Sequence, residues 1–329
     1  MKGERPALPV WQVGRRWVPT PTMLRLCFLA LPVASALTVA PMRATMVRSS
    51  RSAAPVSQAF DGATAAAYET IFESLAPCWE KHAALVSKYA GAGELSVLDI
   101  GSGPGEPSCT LAATFPTAKI TCTDVAPDMN DKAAARAERK GVKLASIEAV
   151  GGDDLSQFAD ASFDFVTMNF VLMFVPDRAK CLEECKRVLR PGGKLLSTCW
   201  KTQSFMACIG TAMEEFTGEP PSAPPPVNPM ALKAENAQED LAKAAGLGVV
   251  SSEVENVEIV ADNEEIFRAC SLIVMGPKLK EMEEEGRAGA TKDFQDAFVK
   301  VAPKVEGIEI NDGAYKIGGL YQMLVMSKD

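Results

Sequence analysis

The chain has 329 residues, 47% hydrophobic and 23% charged, which is ordinary globular composition with room for one large domain or two small ones. A single histidine, His82, and nine cysteines without a CxxC pair argue against a structural metal site and suit a reducing compartment. Of the net −8, the first sixty residues carry eight basic side chains against Glu4 alone, so the rest holds −15, a surface that repels a nucleic-acid backbone.

In chain order, the first feature is an apolar run over 26–40 that follows Arg25 and is interrupted by Pro32, too short for a membrane span. Ala34-Ser35-Ala36 is an A-x-A cleavage pattern, and Arg43, Arg48 and Arg51 then lie among Ser and Ala with no acid until Asp61. A signal sequence followed by such a transit-like segment resembles the bipartite presequence of algae with complex plastids, although Leu37 stands where those presequences most often carry Phe. A plain secretory signal peptide or a mitochondrial presequence fits the same composition. Residues 1–56 are expected to be a disordered presequence addressed to a plastid, and 57–329 the folded domain.

Residues 63–90 show helical periodicity, with Tyr68, Ile71, Phe72, Leu75, Trp79 and Ala83 at three- and four-residue steps. Strands are expected at 95–100, 118–124, 142–150, 163–171 and 194–200. Between them come a helix from Pro107 that ends before Pro116, a helix over 127–141 stopped by Gly141, and a helix capped by Asp177. Alternation at this spacing predicts a doubly wound, mostly parallel sheet of seven strands with helices on both faces, a Rossmann-like α/β fold. Residues 219–229 hold six prolines, and the stretch 201–234 is a candidate lid or crossing segment. A helix over 234–245, a strand over 249–260, helices near 263–273 and 291–300, and a final strand over 320–328 complete the reading.

Two features suggest a ligand. The first is "VLDIGSGPGEPS" (97–108), a strand running into Gly101, Gly103 and Gly105. Glycines allow close backbone approach, and the helix that follows offers free N–H groups. The spacing is GxGxG rather than the GxGxxG of a dinucleotide fold, and Glu106 at the helix mouth is expected to sit badly with a pyrophosphate. The second is Asp124, ending the next strand 23 residues after Gly101, where a carboxylate can accept both hydroxyls of a ribose. A third element, "RVLRPGGKL" (187–195), reads as a structural turn.

Taken together, "VLDIGSGPGEPS", "ITCTDVAPDM", "FDFVTMNFVLMFVPD" and "RVLRPGGKLLSTCW" resemble the class I S-adenosylmethionine-dependent methyltransferases, in the small-molecule group that includes quinone methyltransferases. The resemblance covers about residues 60–200. It implies S-adenosylmethionine as cofactor, with Asp99, Gly101, Gly103 and Gly105 forming the loop around its methionine part. Asp124 would bind the ribose, Val125 would lie beside the adenine, and Asn169 and Phe170 would lie near the sulfur. The acid that the family uses on the adenine amine falls at Gly151 here, and Asp153 is the nearest substitute. Tyr68 covers the cofactor or packs in the core. The implied reaction is direct SN2 transfer of a methyl to a small-molecule acceptor, a quinone or another apolar metabolite, with no nucleic acid and no metal involved. His82 is a weak candidate for a general base. A nicotinamide-dependent oxidoreductase and a non-catalytic cofactor-binding homologue are the alternatives.

Overall fold

The computed structural model describes residues 62–219 and 228–329. The presequence reading and most of the proline run lie outside the described residues. Eight strands form one sheet: β1 (Ser96–Ile100), β2 (Lys119–Thr123), β3 (Ser146–Glu148), β4 (Phe163–Asn169), β5 (Leu189–Gln203), β6 (Gly248–Ala261), β7 (Ile308–Asn311) and β8 (Ala314–Ser327). Their order is β3-β2-β1-β4-β5-β8-β6, and β7 pairs with β8 off this path. The first five strands in that order are parallel; β8, β6 and β7 pair antiparallel. The expected seven-strand path is present, and β7 is an eighth, short strand added by a hairpin. That hairpin turns at Asp312-Gly313, both at positive φ, a turn whose twist matches that of its strands.

The helices are α1 (Gly62–Ser74), α2 (Ala76–Tyr89), α3 (Ser108–Thr114), α4 (Pro127–Lys140), α5 (Arg178–Val188), α6 (Ser204–Thr217), α7 (Ala237–Ala244), α8 (Glu264–Glu284) and α9 (Ala290–Val301). The helix expected over 63–90 is two helices broken at Leu75, because Pro77 cannot continue a helix through its own preceding turn. The strand expected over 142–150 shrinks to β3. Gly141 caps α4 in the left-handed region and the Val142 N–H bonds back to Ala137 O, so this stretch ends a helix before it can pair. The candidate lid at 201–234 divides into the end of β5, the packed helix α6, and residues 220–227, which are not described.

From β1 the chain crosses to β2 and β3 in one direction, and from β4 to β5 in the other. Right-handed crossovers therefore put α3 and α4 on one face and α5 on the opposite face. The reversal leaves a crevice beyond the carboxyl ends of β1 and β4, the usual ligand site of such sheets. Two apolar cores hold the fold. One fills both faces of the parallel strands. The other joins α1, α6, α8 and α9 to the far ends of β6 and β8.

Candidate active site at the switch point

β1 delivers Asp99 into the protein interior. Its Oδ2 accepts from Ser102 Oγ (2.7 Å), Ser108 N (3.1 Å) and Ser108 Oγ (2.7 Å), and its Oδ1 accepts from Thr167 Oγ1 (2.7 Å). One carboxylate thus fixes both ends of the glycine turn and ties it to β4. Burial pushes the Asp99 carboxyl up to about 6 against the opposing pull of these donors. Asp99 lies behind the loop and offers no surface to a ligand.

Gly101 and Gly103 both have positive φ. A Cβ on Gly101 would come within 2.5 Å of Val171 Cγ2, so only glycine lets the turn after β1 close on the chain leaving β4. A Cβ on Gly103 would find nothing nearer than Tyr68 Oη at 3.7 Å, so this glycine faces open space under α1. Gly105 backs onto the Ala133 backbone of α4. Tyr68 is thus brought to the loop, and its ring also stacks on Phe72.

Asp124 closes the other side. Its Oδ2 accepts from Gly103 N (3.0 Å) and its Oδ1 from Ala126 N (2.9 Å). Partial burial raises its pKa, opposed by these two N–H groups. A carboxylate has about four acceptor positions, so two remain for hydroxyl donors. Beyond it Val125 is 59% exposed. A Cβ on Gly151 would meet Val125 Cγ1 at 3.2 Å and Asp153 Oδ1 at 3.1 Å, so Asp153 occupies the place next to the missing side chain.

Glu106 departs from expectation. Its buried carboxylate faces α3 and α4, accepting from Thr110 N (2.9 Å) and Thr110 Oγ1 (2.7 Å) and pairing with Lys140 and, at 3.8 Å, Arg136. A neutralised acid turned into the protein does not repel a ligand phosphate, so the electrostatic objection to a pyrophosphate falls away.

At the end of β4, Phe170 holds a positive φ and its N–H is shared between Thr198 O (3.1 Å) and Thr198 Oγ1 (3.0 Å). Asn169 accepts from Thr198 Oγ1 through Oδ1, while its Nδ2 is buried with no protein partner among the described residues. An amide donor left over at a ligand crevice is an observation that a bound acceptor would satisfy. The Phe170 ring stacks on Trp200 at 4.3 Å and meets Tyr321 and Trp79 edge-on at 5.7 and 6.5 Å, forming an aromatic wall beside Asn169.

Residues 98–197 match the family model described as "Methyltransferase domain". Over those residues the chain is similar to a methyltransferase domain. The match spans the site residues above except Tyr68, Phe72, Thr198 and the wall residues Trp79, Trp200 and Tyr321. The chain is 35% identical over 130 residues to the methyltransferase ucsB of Acremonium sp., covering 36% of this chain and 45% of that protein. It is 35% identical over 113 residues to the ubiquinone/menaquinone biosynthesis C-methyltransferase UbiE of Bdellovibrio bacteriovorus, covering 33% and 46%. The chain thus spans less than half the length of these two relatives. A solved SAM-dependent methyltransferase from Aquifex aeolicus is 23% identical, with 59% of this chain and 92% of that chain covered and a TM-score of 0.42.

Two further sets of residues complete the description. His82, on α2, is fully buried; its Nδ1 lies 3.0 Å from Cys78 O, and burial lowers its pKa to about 4. A base must become cationic, and this setting, buried in the core, opposes the cation. Ser102, Ser108, Thr167 and Thr198, which orient Asp99 and Asn169, went unread in the sequence. Ser102, between Gly101 and Gly103, and Ser108, after Gly105, are the available signal, since a buried strand-end acid needs donors close by.

Proposed function

We propose that the protein is an S-adenosylmethionine-dependent methyltransferase acting on a small, apolar acceptor such as a quinone. The observation that carries this reading is the bond between Asp124 Oδ2 and Gly103 N, which holds the β1 turn and the β2 acid together beside the switch point with acceptor positions to spare. The match of residues 98–197 to a methyltransferase domain supports it, as does the likeness to the UbiE protein, whose own name specifies ubiquinone and menaquinone.

When bound, S-adenosylmethionine supplies a methyl group already activated on a sulfonium sulfur. The chain's residues bind, orient and exclude water. Asp124 would take the ribose hydroxyls, the backbone from Gly101 to Gly105 would hold the methionine part, and Val125 with Asp153 would border the adenine. Asn169 would give its spare Nδ2–H to an acceptor atom of the ligand. Phe170, half-buried and backed by the buried rings of Trp200, Tyr321 and Trp79, would present an apolar ring to a planar acceptor and help to exclude water. Alignment of the acceptor for in-line attack is then the principal contribution of the protein to the rate. The plastid address expected from the leader agrees with prenylquinone or pigment-like acceptors.

Calorimetry tests the reading. The wild type should bind S-adenosylhomocysteine, and Asp124→Ala should weaken binding by about 100-fold, the scale of losing two hydrogen bonds to a charged group. Unchanged affinity in the variant would overturn the assignment. A melting temperature raised by NADH and not by S-adenosylmethionine would favour the oxidoreductase instead.

A further inference from the structure

The turn RVLRPGG reads as structure alone, yet Arg187 within it reaches back across the molecule to the chain segment between β3 and β4. That segment carries Gly151 and Asp153, and α5 fastens it at several points. Gly152 lies flat against β1 and α5: a Cβ there would come within 2.9 Å of Cys181 Sγ and 3.1 Å of Ile100 Cγ2. Leu155 is fully buried, and α5 side chains serve both its backbone polar groups. Its N–H donates to Glu184 Oε2 (3.0 Å), and its carbonyl accepts from Arg187 Nη2 (2.9 Å). Arg187 Nη1 donates to Phe158 O and to Asp160 Oδ1, each at 2.8 Å. The Nε and Nη2 of Arg187 hold both oxygens of Glu184, at 2.7 and 2.8 Å.

Cys181, Glu184 and Arg187 recur every three residues and so share one face of α5. That face is a clamp for the segment 152–160. Asp153 hangs between its two firmest points, the wedged Gly152 and the doubly bonded Leu155. This matters because Gly151 supplies no side chain, and among the described residues the carboxylate within 4 Å of where its Cβ would stand belongs to Asp153. A carboxylate borne on a surface loop selects a hydrogen-bond donor well only if its position is fixed by neighbours. Arg187 suits that task as lysine does not, because a planar fork satisfies several acceptors at once in set directions.

We infer that Glu184 and Arg187 are positioning residues that hold Asp153 at the adenine end of the site and thereby set selectivity for the exocyclic amine of adenine. The inference rests on the cofactor reading above. A fixed carboxylate accepts from an amino group and is repelled by the keto oxygen of hypoxanthine. A carboxylate on a loosened loop swings away from that oxygen and loses the distinction.

The test is calorimetric titration of two ligands, S-adenosylhomocysteine and its deaminated form S-inosylhomocysteine, with melting temperature measured alongside. The wild type should prefer the adenine form by about tenfold or more, the scale of one charged hydrogen bond. Asp153→Ala should abolish the preference. Arg187→Ala and Arg187→Lys should bring it to within about threefold, and Glu184→Gln should fall between them and the wild type. A purely structural role would lower the melting temperature and weaken both ligands equally. A folded Arg187→Ala with the full wild-type preference therefore overturns the inference. If Arg187→Ala fails to fold, an intact preference in both Arg187→Lys and Glu184→Gln overturns it equally. A wild type that binds both ligands alike also overturns it. A wild type that binds neither overturns the cofactor reading instead.

Discussion

Asp99 and His82 are both fully buried and titrate in opposite senses. The His82 imidazole is held at about 4 against an ordinary 6.5, so the folded protein resists the proton that the unfolded chain takes up. Its contribution to stability is complete above pH 6.5 and is lost as pH falls toward 4. The Asp99 carboxyl is held at about 6 against an ordinary 3.8, so the folded protein keeps a proton that the unfolded chain releases. Stability from this group grows as pH falls from 6 toward 3.8. Each displacement amounts to about 3 kcal/mol over its window, and the two nearly cancel. Single variants should separate them. Between pH 7 and 4, the stability advantage of the wild type over His82→Gln should shrink by about 3 kcal/mol, and its advantage over Asp99→Asn should grow by a similar amount. Urea titrations at a series of pH values measure both differences; parallel pH curves for wild type and variants would overturn the buried-titration account. At this scale the site was only half legible in sequence. Asp99 and Asp124 are marked by their strand-end positions, whereas the neutralisation of Glu106 depends on Lys140, 34 residues along, and on how α3 and α4 pack.

Among the elements, the critical contact joins the chain leaving β1 to the chain leaving β4. Gly101 touches Val171 so closely that a methyl group there would sit 2.5 Å from Val171 Cγ2, and its φ of 67° disfavours any side chain. Gly101→Ala should therefore cost about 2–4 kcal/mol, combining overpacking with left-handed strain. Removing the obstructing atoms with Val171→Ala should return the overpacking part, leaving about 1–2 kcal/mol of backbone strain. A double-mutant cycle by chemical denaturation checks this, and strict additivity would deny the contact. Sequence patterns captured the βα units because each is local: periodicity, a cap such as Asp177, a stop such as Gly141. They missed α6, although Phe205, Cys208, Ile209 and Ala212 are its buried face at helical spacing, and they missed the Asp312-Gly313 hairpin. Both lie beyond Trp200, where the alternation of strand and helix that guides an α/β reading has ended.

For the molecule as a whole, β6 and β8 decide whether the two cores act together. β8 sends Tyr315 and Ile317 into the second core and Tyr321 with the residues 323–326 into the first, along one continuous strand. β6 does the same with Ile259 and Val257. A strand shared at full length cannot be ordered in one core and melted in the other without breaking its own ladder, so the described residues should unfold in a single transition. Phe298 is the place to test this. It is fully buried in the second core, stacked on Phe267 at 4.5 Å and edge-on to Phe205 at 5.7 Å. Phe298→Ala should cost about 3–5 kcal/mol, which for a domain of this size lowers the melting temperature by about 10 °C. Of the four tryptophans, Trp79 and Trp200 lie in the first core, so with Trp11 and Trp17 replaced by Phe, tryptophan fluorescence reports on the core that the Phe298 substitution does not touch. Coupled cores require the fluorescence midpoint to fall together with the far-ultraviolet circular dichroism midpoint. A fluorescence transition left at its wild-type temperature would show that the helices α6, α8 and α9 melt on their own, and that the aromatic wall of the site survives without them.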